Sequence, residues 1–101
     1  MEIKKAQENV DEIIKTYGGY WQPLSMLARL VEEVGELSRA VNIKHGDKKT
    51  KSQEDGREIE KELSDVLFTI LAISNALNID LDKELNDKIN KDLERNKGFY
   101  H

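Results

Sequence analysis

The sequence contains no cysteine, one proline and one tryptophan among its 101 residues. Lack of cysteine removes disulfides, thiolate metal sites and cysteine nucleophiles together. A lone proline, Pro23, and only six glycines leave most of the chain free to be helical. Histidine is scarce too, with His45 in a polar stretch and His101 at the last position. Neither completes the Glu-x-x-His element that di-iron bundles take from two helices, so di-iron chemistry is rejected. No apolar run approaches the roughly 20 residues of a membrane span. The N-terminal MEIKKAQENV has no signal-peptide core. A cytoplasmic protein that engages no membrane is expected.

A basic excess is also missing. Sixteen Lys and Arg face twenty Asp and Glu, for a net charge of −4. The basic residues fall mainly in two clusters, near 44–51 and 83–97. An acidic chain without a basic face is ill-suited to polymeric nucleic acid. A partner that carries phosphates therefore needs a cation between it and the carboxylates.

Charged residues make up 36% of the chain, above the usual quarter or so. The apolar residues are nonetheless regularly spaced, which argues against disorder. The length allows one domain, residues 1–101. So short a chain buries a modest share of its surface, which favours oligomerisation.

Four helical stretches follow from the spacing. The first runs from about Ile3 to Tyr17, with Ile3, Ala6, Val10, Ile13 and Ile14 on one face, and Gly18 and Gly19 end it. The second opens at Pro23, where a first turn tolerates a missing N–H. Its stripe is Leu27, Leu30, Val34, Leu37 and Val41. Residues 44–55 read as a polar connector. The third covers about 56–78, with Ile59, Leu63, Val66, Leu67, Ile70, Ile73 and Leu77 at helical spacing. Asp80 caps a fourth, Leu81 to about Arg95, with Leu81, Leu85, Ile89 and Leu93 as its spine. No stretch alternates with period two, so an all-α, four-helix bundle-like fold is expected. Phe68 and Leu71 fall outside the third stripe, and a helix apolar on so much of its surface is buried on more than one side. A homo-oligomer is expected, a homodimer or dimer of dimers, with Phe68 and Leu71 at or near the interface.

Carboxylates recur at the edges of these stripes. Glu33–Glu36 and Glu62–Asp65 are pairs three residues apart, so each pair shares a helix face. Glu32 points further toward solvent. If the second and third helices pack by their stripes, the two pairs face each other across one groove. Four clustered carboxylates repel and require a positive charge between them. Oxygen-only ligands favour hard cations, Mg²⁺ or Mn²⁺. Glutamates at such spacing are common on inert, solvated faces. What separates these pairs from that pattern is the lack of a matching Lys or Arg at i+4. Arg29, four residues before Glu33, is the exception and can pair with it when no metal is present.

The segment LVEEVGELSRAVN, followed later by EKELSDVLFTIL, resembles the MazG-like all-α nucleoside triphosphate pyrophosphohydrolases. Their E-E-x-x-E element is matched by Glu32, Glu33 and Glu36, and their E-x-x-D element by Glu62 and Asp65. PLSMLARL and SNALNI are similar to the short single-domain members, and the resemblance covers roughly residues 17–92. It implies hydrolysis between the α- and β-phosphates of nucleoside triphosphates, giving a monophosphate and pyrophosphate. It also implies Mg²⁺, with Mn²⁺ as a substitute, held by Glu33, Glu36, Glu62 and Asp65. Glu32 or Glu36 would orient or deprotonate the attacking water. Lys88, Lys91 and Arg95, on one face of the last helix, are the candidate phosphate partners. Trp21 is the candidate for stacking on the base, and Asn75 matches a family asparagine that can hydrogen-bond substrate. The implied role is nucleotide-pool housekeeping. The competing readings are a non-catalytic acidic helical module and a phosphoribosyl-ATP pyrophosphatase-like enzyme.

Overall fold

The computed structural model describes residues 2–46 and 58–99. Its four helices are α1 (Ile3–Thr16), α2 (Pro23–His45), α3 (Ile59–Ala76) and α4 (Leu81–Phe99), with no strand among the described residues. The fold is the all-α architecture that the 3.6-residue periods indicate. Most of the connector expected over 44–55 lies outside the described residues, as does His101. His45, expected in that connector, is the last residue of α2.

Helix ends set the directions of the chain. Past Tyr17, Gly18 and Gly19 adopt φ of +101° and +105°, a region that a side chain makes unfavourable. The Gly19 N–H reaches the Ile14 carbonyl at 3.0 Å and the Gly18 N–H that of Lys15 at 3.3 Å. This paired closure is a Schellman motif. Asn78, at φ 57°, closes α3 the same way, with the Ile79 N–H on Ser74 at 2.8 Å and the Asn78 N–H on Asn75 at 3.1 Å. That turn stops α3 two residues earlier than the apolar spacing suggests. Asp80 then caps α4, its Oδ1 accepting from the Lys83 N–H at 3.1 Å. The axes of α3 and α4 diverge by 110°.

α2 and α3 pack against each other most extensively, and α1 lies on α3. The interior is Val10, Met26, Leu71 and Ala72, flanked by Ile3, Ala6, Ile14 and Tyr20. Gln7, buried in the middle of the α1 stripe, ties α1 to the α3–α4 corner. Its side-chain N–H groups serve Ser74 Oγ (2.8 Å), Asn75 Oδ1 (3.1 Å) and the Ile79 carbonyl (2.9 Å). Its Oε1 accepts from the Leu81 N–H at 3.1 Å, and its backbone carbonyl from Asn75 Nδ2 at 2.8 Å.

Two expectations are corrected here. Leu71 is 4% exposed and belongs to the interior of the single chain, not to an outer interface. The α2 and α3 stripes are covered only in part: Leu27, Val34, Leu63 and Leu67 are exposed, while Leu30, Leu37, Val66 and Ile70 are half-buried. The most buried line of α2 is Met26, Glu33 and Ala40, beside the stripe rather than along its middle.

Candidate metal centre

On α2 the buried residues are Met26, Glu33 and Ala40, seven apart, and on α3 they include Glu62 and Thr69, also seven apart. Seven residues are close to two helical turns, so each set forms a straight seam. The α2–α3 seam therefore carries carboxylates where a bundle normally places aliphatic side chains. Ala40, 1% exposed, fits this close approach of backbones. One oxygen each from Glu33, Glu62 and Asp65 lies within 4.8 Å of the others. Glu33 and Glu62 are 4% and 5% exposed, and Asp65 is half-buried.

Charges this close repel by about 3 kcal/mol per pair at an effective dielectric near 20. The Glu33 carboxyl is held above the usual range. Burial is the main cause; the Arg29 charge opposes it, and Glu36, Asp65 and Glu62 add to it. Arg29 Nη2 donates to Glu33 Oε1 at 2.9 Å, while the buried Glu33 Oε2 has no hydrogen-bond partner. A buried, unsatisfied carboxylate oxygen is costly. Three converging carboxylates with an orphaned oxygen fit a hard divalent cation, for which oxygen donors are the preferred set.

Beside the carboxylates opens a cleft of about 330 Å³. Tyr17, Tyr20, Trp21 and Phe68 form its aromatic wall, and Arg29, Glu33 and Asp65 its polar end. Thr69 and Ala72 of α3 contribute to its lining. The Tyr20 hydroxyl donates to Asp11, which also accepts from Lys15 Nζ at 2.8 Å. Burial, and then this bond, push the Tyr20 hydroxyl up to about 12. The Asp11 carboxyl is drawn below its usual range, first by Lys15 and then by Tyr20. The α1–α2 turn thus contributes three aromatic rings to the cleft that Glu33 and Asp65 also line.

The structure brings Glu33, Glu62 and Asp65 together and sets Glu36, half-buried, near enough to act on the Glu33 charge. Glu32 is exposed, with Arg29 Nη1 3.5 Å from it. Trp21 lines the cleft and is 63% exposed. Asn75 is engaged with Gln7 in the α1–α3 joint. Lys88 pairs with Asp92 at 2.7 Å, and neither it nor Lys91 nor Arg95 lines the cleft. The sequence reading missed Tyr17 and Thr69, which line the cleft; so does Phe68, expected at or near an interface and exposed in the single chain. The signal was present: Asp65, Phe68, Thr69 and Ala72 recur at three- and four-residue spacing on α3.

Comparison with known proteins bears on the family and the fold. The family model for the MazG nucleotide pyrophosphohydrolase domain matches residues 21–99. The YpjD protein of Bacillus subtilis (strain 168) is 43% identical over 88 residues, covering 86% of this chain and 78% of its own. The crystal structure of YpjD from Bacillus subtilis superposes with a TM-score of 0.80 at 40% identity, covering 90% of this chain and 94% of that one. A Bacillus-conserved MazG protein, described as a nucleotide pyrophosphohydrolase, superposes with a TM-score of 0.75 at 42% identity, covering 90% and 88%.

Proposed function

The chain belongs to the MazG nucleotide pyrophosphohydrolase family, and from that premise we propose that it hydrolyses (deoxy)nucleoside triphosphates between the α- and β-phosphates. The products are a nucleoside monophosphate and pyrophosphate. The observation that carries this reading is the buried trio Glu33, Glu62 and Asp65 at the end of a base-sized aromatic cleft. These three, with Glu36 beside them, would hold Mg²⁺, or Mn²⁺ in its place. When bound, such a cation neutralises charge developing on the phosphates and makes water nucleophilic at neutral pH.

The chain's own groups supply the rest. Glu36 is half-buried at the rim of the carboxylate cluster, where it can orient a water and take its proton. Glu32 is more exposed and is the weaker candidate for that role. Trp21 supplies a face on which a base can stack. Phosphoryl transfer depends mainly on positioning and electrostatics, so no side-chain nucleophile is required. Asn75 is engaged with Gln7 in the α1–α3 joint, and Lys88, Lys91 and Arg95 meet phosphates only if a second copy brings α4 to the cleft.

That second copy is part of the proposal. The radius of gyration is 17.1 Å, against about 13 Å for a compact domain of this length. Leu27, Val34, Leu63 and Leu67 of α2 and α3 and Leu85, Ile89 and Leu93 of α4 stay exposed, and so much exposed apolar surface suits an interface. A homodimer, or a dimer of dimers, covers it. Among the described residues no single helix is long and apolar enough to cross a membrane. We place the protein in the cytoplasm, as a single-domain enzyme of nucleotide-pool housekeeping.

The test is product analysis by ion-exchange chromatography over a panel of canonical and modified NTPs and dNTPs, with Mg²⁺ or EDTA. Metal-dependent monophosphate and pyrophosphate support the proposal. Diphosphate and orthophosphate would overturn the bond assignment. Turnover of phosphoribosyl-ATP alone would move the enzyme to another substrate class, and no turnover by folded protein would favour a binding module.

A further inference from the structure

Among the described residues that line the cleft, Arg29 is the only lysine or arginine. Its guanidinium makes one close ion pair and one long one. Nη2 meets Glu33 Oε1 at 2.9 Å, while Nη1 has just a 3.5 Å contact with the exposed Glu32. The Arg29 side chain is 53% exposed although the Glu33 side chain it binds is 5% exposed. It is therefore a half-exposed cation reaching inward from the cleft to a buried anion.

A divalent cation among Glu33, Glu62 and Asp65 competes for the oxygen that Arg29 now holds, and it repels the guanidinium. The divalent ion has two advantages in that competition: twice the charge, and three converging carboxylates where the guanidinium has one close partner. Arg29 is then released at the polar end of the cleft, beside the aromatic wall. A planar fork of N–H donors suits phosphate oxygens better than any other side chain.

We propose that Arg29 is a phosphate-binding residue held in reserve on Glu33, transferred to the triphosphate of the substrate when a divalent cation takes its place. This rests on the pyrophosphohydrolase reading and adds a residue to it. Arg29 has two successive partners. In the empty site it compensates a buried carboxylate, and in the loaded site it binds the phosphate chain that Lys88, Lys91 and Arg95 of the same copy do not reach.

Two binding measurements on the full chain separate this from a merely structural ion pair. Mn²⁺ affinity is read at pH 8 from the EPR signal of free Mn²⁺, and affinity for the preformed Mn²⁺–tripolyphosphate complex by calorimetry. In R29Q the two move in opposite directions: Mn²⁺ binds about tenfold more tightly because a competing charge is gone, and tripolyphosphate about tenfold more weakly. R29K keeps the charge without the fork, so Mn²⁺ affinity stays near wild type and tripolyphosphate affinity falls between. Thermal melts of both variants establish that they are folded, and R29K carries the test should R29Q fail to fold. Unchanged tripolyphosphate binding in a folded variant, or parallel loss of both ligands, overturns the proposal. A wild-type protein that binds neither probe overturns the pyrophosphohydrolase reading, and the Arg29 assignment with it.

Discussion

At the scale of single residues, the molecule is organised around carboxylates placed where they destabilise. Glu33 and Glu62 occupy the α2–α3 seam with Asp65 beside them, and their repulsion stands until a cation arrives. Removing one charge should relieve it. D65N is expected to raise the melting temperature of the metal-free protein by a few degrees, equivalent to about 1 kcal/mol. It should also remove the further rise that Mg²⁺ gives to wild type by binding only the folded state. A D65N protein that melts lower without metal, or still responds fully to Mg²⁺, would count against the site. Tyr20 offers an independent test. Its hydroxyl is pushed up to about 12, above the ordinary value near 10, so the folded state favours the protonated form. Its contribution is complete below the ordinary value and is lost as pH rises toward the folded one. Ultraviolet titration of wild type minus Y20F should show this one phenol ionising late. An ordinary midpoint would mean the Asp11 contact is not formed.

At the scale of elements, the sequence was legible wherever a helix had a local reason to start or stop. Pro23 opens α2, Asp80 caps α4, and Gly18 and Gly19 end α1, all where the residue chemistry indicates. The left-handed Asn78 turn was not legible, because the apolar spacing continues through it. Which face of α2 goes inside was misread for a physical reason. Burial usually follows hydrophobicity, and here the buried face includes Glu33 while Leu27 and Val34 are left out. The carboxylate pairs themselves were legible, since their spacing alone places them on shared faces. Gln7 interrupts the α1 stripe, and such a polar interruption marks a buried hydrogen-bonding hub. Q7A should cost about 2–4 kcal/mol in urea denaturation, because Asn75, Ile79 and Leu81 lose their partner. A cost below about 1 kcal/mol would show that water replaces it. G19A, forced into a left-handed conformation, should cost about 1–2 kcal/mol in the same assay.

At the scale of the whole molecule, α2 and α3 spend their buried seam on the charged site and leave their apolar stripes partly uncovered. An aliphatic face not used within the chain is available between chains. Sedimentation at micromolar concentration should show a dimer or tetramer for wild type. V31E, at a position 65% exposed in the single chain, should shift it toward monomer. A monomeric wild type would remove the second copy from the account and leave the phosphate partners to Arg29 alone. Base preference was not legible, because aromatic faces such as the four around this cleft stack on any base alike.

The central claim is that Glu33, Glu62 and Asp65 form the metal centre of a triphosphate-cleaving enzyme. Its most direct test is Mg²⁺-dependent release of pyrophosphate from the best nucleotide of the panel, measured for wild type and D65N side by side. Turnover is expected in wild type, abolished by EDTA, with a loss of about a hundredfold or more in D65N, as when a metal ligand is removed. A folded D65N protein that releases pyrophosphate at the wild-type rate would contradict it.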